Sequence, residues 1–175
     1  FGIPNLKDPG FRLDPSLGGG AFWDVASYTV SAVLALYPSQ KVRVLFSEVC
    51  KKKNFLVDTE GRALLRFSSG ASAYLEWGVG VGYKNEIELW SEKGSLYTDK
   101  IFSKPENYKP IFRTRDIHGN ESLDFGDISD QFKEMISSFY SMLNFPEQIT
   151  KEYECILNRA QVMDEIINFE HSKKA

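Results

Sequence analysis

Asp24 and Tyr28 stand four residues apart in the run Gly18-Gly19-Gly20-Ala21-Phe22-Trp23-Asp24-Val25-Ala26-Ser27-Tyr28. On a helix that spacing stacks both side chains on one face, with Cβ atoms roughly 5–6 Å apart. A carboxylate beside a phenol makes a proton-handling pair. The acid accepts a hydrogen bond and orients the phenol, and the phenol donates to a substrate oxygen. The same spacing equally suits an ordinary polar pair on a helix surface.

Gly18-Gly19-Gly20 opens the run. A helix start presents free N–H groups and can cradle an anion, but the pattern is not a dinucleotide fingerprint. Counting from Gly18, Trp23 stands where the third glycine of G-x-G-x-x-G belongs, and the preceding Phe11–Leu17, with Pro15, makes a poor buried strand. No Gly-Lys-Ser/Thr follows, so it is not a P-loop either. The glycines read as a close-approach turn that leaves room for a substrate or another backbone. Gly78-Val79-Gly80-Val81-Gly82 is a second cluster. On an extended chain its glycines share one face, a bare strip for a closely packed element or a flat ligand.

The elements that must position these residues follow from periodicity. Residues 1–17, with Pro4, Pro9-Gly10 and Pro15, read as an extended, turn-rich lead-in. Ala21 to Tyr37 is apolar on most sides and reads as a buried helix ended by Pro38-Ser39. The period then changes to two. Strands are expected at 41–49, 62–67, 72–79, 85–90, 95–98, 110–115 and 121–125, with turns at Ser68-Ser69-Gly70-Ala71, Ser91-Glu92-Lys93-Gly94 and His118-Gly119-Asn120. Such short connections mean antiparallel pairing. Asp127 is the expected N-cap of a helix striped with Phe132, Met135, Ile136, Phe139 and Leu143, and Asn144-Phe145-Pro146 breaks it. Thr150 is the expected cap of a last helix striped with Tyr153, Ile156, Leu157, Ala160, Met163 and Ile167. Both stripes read as core, and the polar tail from Glu170 is expected to fray. The sum is an α+β fold: an open, mostly antiparallel sheet of about six to seven strands, a buried N-terminal helix and two C-terminal helices, in a single domain over 1–175.

Composition narrows the function classes. A net charge of -3 argues against a protein whose main work is gripping phosphate backbones, so no nucleic-acid partner is expected. The one dense basic run, Lys51-Lys52-Lys53, reads as a solvated turn. The only histidines are His118 and His171 and no C-x-x-C occurs, so a metal site is not expected. Cys50 and Cys155 read as reduced residues of a cytoplasmic protein. No apolar run reaches the ~18 residues of a membrane span. The chain begins Phe1-Gly2-Ile3-Pro4 without an initiator Met, which suggests a fragment or a processed product. Aromatics make up 14% of the residues and favour β-structure. Trp77, Tyr83 and Trp90 are suited either to stacking on a sugar face or to a core.

The stretch Phe11 to Tyr28 resembles the start of the C-terminal domain of the glucose–fructose oxidoreductase / inositol dehydrogenase / rhizopine catabolism (Gfo/Idh/MocA) family, which carries G-G-G-x-x-x-D-[IV]-G-x-[HY] there. Val57-Asp58-Thr59 through Leu64-Leu65-Arg66-Phe67, Glu86 to Leu96 with its G-x-x-G-x-L-like turn, and Asp130-Gln131-Phe132 are similar to later parts of that domain. The resemblance implies an oxidoreductase whose NAD or NADP is held mainly by a Rossmann domain outside this chain. It further implies an open sheet for substrate and homo-oligomer contacts and a sugar, nucleotide-sugar or related polyol or keto substrate. Mapped by motif, Tyr28 is the proton donor or acceptor and Asp24 orients it or binds substrate. Substrate contacts are expected from Arg12, Gly19, Gly20 and Trp23. Ala26 stands where the family has glycine, and Glu92-Lys93-Gly94 is not the family's Glu-Lys-Pro motif, which belongs to the other domain. The isolated fragment is therefore expected to be inactive. A non-enzymatic ligand sensor of the same fold, or an unrelated sheet module that dimerises, remain alternatives.

Overall fold

The computed structural model describes residues 1–4 and 8–169. The expected fray beyond Glu170 lies outside the described residues. The α+β class holds, with eight strands in two four-stranded sheets among the described residues. The first sheet has the order β1-β4-β3-β2, from β1 Gly2–Ile3, β2 Val42–Cys50, β3 Glu60–Phe67 and β4 Ser72–Val79. The second runs β5-β6-β7-β8, from β5 Glu86–Ser91, β6 Gly94–Asp99, β7 Ile111–Asp116 and β8 Glu121–Phe125. Every pairing is antiparallel except β1 with β4. The helices are α1 Ser27–Leu36, α2 Gln131–Met142 and α3 Pro146–Ile167. The chain divides into two compact units, residues 1–84 with 152–175, and residues 85–151.

The first unit owns the core. Phe22, Val25, Ala26, Val30 and Val33 pack against Val44, Ala63, Leu65, Phe67, Leu75, Trp77 and Val79. Alternation explains the partners: Leu65 pairs with Val44 and Ala73, and Ala63 with Leu75, so the odd-numbered residues of β3 and β4 face the helix. A register shift between Val44 and Phe46 pairs Phe46 with Leu64 and so turns Phe46 to the opposite face. The two-residue β1 had no signal of its own, being too short for a period. It lies on Gly78 and Val79. Gly80 turns at φ 76°, so the glycine strip does not continue as a strand. The Val81 side chain crowds the space beside Gly78, where a Cβ would lie 3.0 Å from it. The closely packed element is thus the chain itself.

The C-terminal helices differ from expectation at their starts. Asp130, not Asp127, caps α2, accepting from the N–H groups of Phe132 and Lys133. Gly126 N–H is bonded to Pro110 and the Ser129 carbonyl accepts from Lys104, which keeps the intervening residues out of the helix. Thr150 lies inside α3, which begins at Pro146; a proline's missing N–H costs nothing at a helix start. The stripes also differ. Phe132, Met135, Ile136, Phe139 and Leu143 are all exposed, as are Tyr153, Ile156, Leu157 and Ala160. Only the end of α3 is core, through Val162, Met163 and Ile166. Helical spacing shows that one face is apolar; it does not supply the element that covers it. No described helix is long and apolar enough to cross a membrane.

Candidate active site

The lead-in folds into two tight turns, Gly10–Leu13 and Pro15–Leu17, the second capped by Asp14 through Ser16 N–H. Gly19 and Gly20 then run back along the first turn: Gly19 N–H donates to the Asp14 carbonyl and Gly20 N–H to that of Arg12, each at 2.9 Å. A Cβ on Gly19 would lie 2.5–2.8 Å from the carbonyl oxygens of Phe11, Asp14 and Arg12, so only glycine fits. The room expected at these glycines is taken by another backbone. That backbone is the one carrying Arg12.

The expected helix is present from Ala21, but its first part, Phe22–Ala26, is a π-helix, and α1 continues it. Such wide turns concentrate at functional sites. Asp24 lies inside it, and Arg12 Nε donates to Asp24 Oδ2 at 2.7 Å. Two residues chosen separately from sequence are thus one pair. The Asp24 side chain is 19% exposed and that of Arg12 33%. Partial burial strengthens a charge-assisted contact of this kind. The Arg12 guanidinium also lies 5.0 Å from the Phe11 ring. Its hydrogen bond to Asp24 uses Nε alone, which leaves the two terminal nitrogens of its fork without a hydrogen-bond partner among the described residues.

Tyr28 is 47% exposed, its ring edge-on to Phe1 with centroids 5.5 Å apart. Trp23 is exposed and edge-on to the buried Phe22. Trp77, a candidate stacking residue, is instead buried edge-on to Phe22, whereas Tyr83 and Trp90 are exposed. Ala26 is fully buried, so the small side chain standing in for the family's glycine still permits close packing.

Asp58 was missed as a functional candidate. Its Oδ2 accepts from Phe22 N–H at 2.6 Å and its carbonyl from Ala21 N–H at 3.0 Å. Burial pushes its carboxyl above the ordinary carboxylate range, against the lowering effect of those N–H groups. Its neighbours Val57 and Thr59 are both buried, and the sequence offers only an acid between two β-branched residues. A separate cleft of about 310 Å³ lies on the first sheet, lined by Glu60, Arg62, Gly78 and Lys84 among others. Glu60 pairs there with Lys52 and Arg62 with Glu48, so its charges are answered within the chain. No group of His, Cys, Asp and Glu among the described residues is placed to hold a metal ion.

A family model described as the GFO/IDH/MocA C-terminal domain matches residues 1–97. The chain belongs to the Gfo/Idh/MocA family. Within the family, it is 26% identical over 95% of its length to a dTDP-3,4-didehydro-2,6-dideoxy-alpha-D-glucose 3-reductase of Streptomyces antibioticus, covering 51% of that protein. It is 32% identical over 65% of its length to the enzyme of the same name from Saccharopolyspora spinosa, covering 34% of it. The fold matches a 3-ketoreductase from Actinomadura kijaniata, solved with NADP and TDP-benzene, at TM-score 0.89 and 23% identity, covering 96% of this chain and 51% of that one. The chain thus spans about half the length of such relatives.

Proposed function

We propose that this chain is the substrate-binding domain of an NAD(P)-dependent oxidoreductase that acts on a nucleotide-linked keto-sugar. The observation that carries the reading is the Arg12–Asp24 pair, held by the glycine turn at the start of the helix that presents Tyr28. Family membership and the dTDP-sugar 3-reductases among its relatives support the substrate class.

A phenol O–H is suited to donating a proton to a developing alkoxide oxygen. In the reduction, the Tyr28 hydroxyl gives its proton to the keto oxygen as hydride reaches the carbonyl carbon, so C=O becomes CH–OH. In the oxidation it takes the proton back. Asp24, fixed by Arg12, orients the substrate hydroxyls or the phenol, and the free fork of Arg12 meets a substrate oxygen or phosphate. Trp23 offers an exposed indole for stacking. Gly19 and Gly20 shape the wall that carries Arg12.

A bound nicotinamide would supply or accept the hydride. The helix start that could receive a phosphate already faces the Asp58 carboxylate. That fits a cofactor held mainly outside this chain. A cytoplasmic homo-oligomer formed through a sheet face completes the proposal. Its support is the second sheet, whose residues include no buried hydrophobic side chain. The test is Tyr28→Phe in the full-length protein: turnover of nucleotide-linked keto-sugars falls by about 10²–10⁴ while NAD(P)H affinity holds. Near-normal turnover removes Tyr28 from the role.

A further inference from the structure

We propose that Asp58 is a positioning residue: reaching over from the loop before β3, it fixes the π-helical turn and thereby sets how Asp24 and Tyr28 are presented. A helix start leaves several N–H groups without intrahelical acceptors, and a local Ser, Thr, Asp or Asn usually answers one of them. Here the N-cap residue is Ala21 and no local side chain caps the turn. The three residues before it are glycines. Asp58, 36 positions beyond Phe22, takes that place with both its carboxylate and its carbonyl.

Its own anchoring is tight. Thr59 N–H donates to the Cys50 carbonyl and Thr59 Oγ1 accepts from Lys52 N–H. Val57 and Thr59 are both buried. On the other side, Gly20 has φ 131° and a Cβ there would collide with Asp58 Oδ1. Gly20 is therefore glycine because of Asp58, with no need of a bound anion to explain it.

A π-turn is a rare, locally unfavourable geometry, and it persists where surrounding contacts over-determine it. Asp24 sits within the turn and Tyr28 beyond it. Relaxation to an α-helix would re-phase Trp23 and Asp24 against Tyr28 and draw Asp24 off Arg12. The same carboxylate at the helix start repels phosphate, so a nucleotide's diphosphate must be met elsewhere.

The kinetic arm rests on the function proposed above; the structural arm does not. In the full-length protein, Asp58→Ala is expected to lose amide-exchange protection at residues 21–24 and to lower kcat about a hundredfold, as small misplacements near the chemistry do, with KM for NAD(P)H unchanged. Asp58→Asn, whose Oδ1 still accepts from Phe22 N–H, keeps both protection and kcat. Leu75→Ala, a loss of core packing elsewhere in the first sheet, lowers stability and leaves kcat near normal. Should Asp58→Ala not fold, Asp58→Glu, which keeps the charge and changes the reach, carries the comparison. Retained protection in the Ala variant, a kcat loss matched by Leu75→Ala, or an Asn variant as poor as Ala would each overturn the role. If the wild type reduces no nucleotide-linked keto-sugar, the function fails and exchange at residues 21–24 alone decides the positioning.

Discussion

The two sheets have the same number of strands and almost opposite burial. In the first, one face of β2, β3 and β4 is sealed by the helix that begins at Ala21 and by the end of α3. In the second, the buried residues from Asn85 to Lys151 are two polar ones, Asn85 and Thr98, and every buried hydrophobic side chain among the described residues belongs to the first unit. Hydrogen bonding does not explain the contrast, since both sheets have continuous ladders. Composition and side-chain partners do. The face that carries Tyr97 and Arg113 is held by polar contacts: the Tyr97 hydroxyl donates to Glu86, the Arg113 guanidinium lies 5.8 Å from the Tyr97 ring and Arg115 pairs with Glu121. Asn85 holds the following loop by binding the Ser103 carbonyl and Phe102 N–H. One sheet is cemented by apolar area, the other by local polar contacts.

That contrast is open to test by truncation. Leu65→Ala removes a fully buried residue of the first sheet and is expected to cost about 2–5 kcal/mol in denaturant unfolding. Asp130→Ala removes the cap of α2 and should cost about 1 kcal/mol, read from thermal unfolding. Leu123→Ala, on the exposed last strand, should stay within about 0.5 kcal/mol. A larger cost for Leu123, together with a fall in solution mass, would show that the second sheet is covered in an oligomer. A cost near zero for Leu65 would undo the assignment of the core.

The smallest expected effect is a pH dependence. Asp58 has a raised carboxyl pKa in the folded chain, so the folded state holds that proton more tightly than the unfolded one. The resulting stability is full below the ordinary Asp value of about 3.9 and is lost as pH rises through the raised value. Asp58→Asn removes this contribution. Wild-type melting temperature should therefore fall relative to that variant as pH rises from about 3.9, and a gap that stays constant with pH would rule the linkage out.

Much of the second sheet was legible because its turns are written locally. Ser91 to Gly94 and His118 to Asn120 bracket strands whose ends differ from expectation by a residue or so. The helix capping was less legible, since Asp127 and Asp130 are equally good caps by type and only the bonds from Gly126 and Lys104 choose between them. The apolar stripe of α2 is exposed rather than core for the same reason: periodicity identifies a face without its partner.

By itself the sequence determined the class of the fold, the helix bearing Asp24 and Tyr28, and the family, because period, turn chemistry and a local motif need no distant contact. Only the tertiary structure decided that Arg12 meets Asp24, that the glycines enclose their own backbone, and that Asp58 caps a π-turn from 36 residues away. Those are pairings across sequence distance, fixed by where hydrogen-bond donors find acceptors once the core has closed.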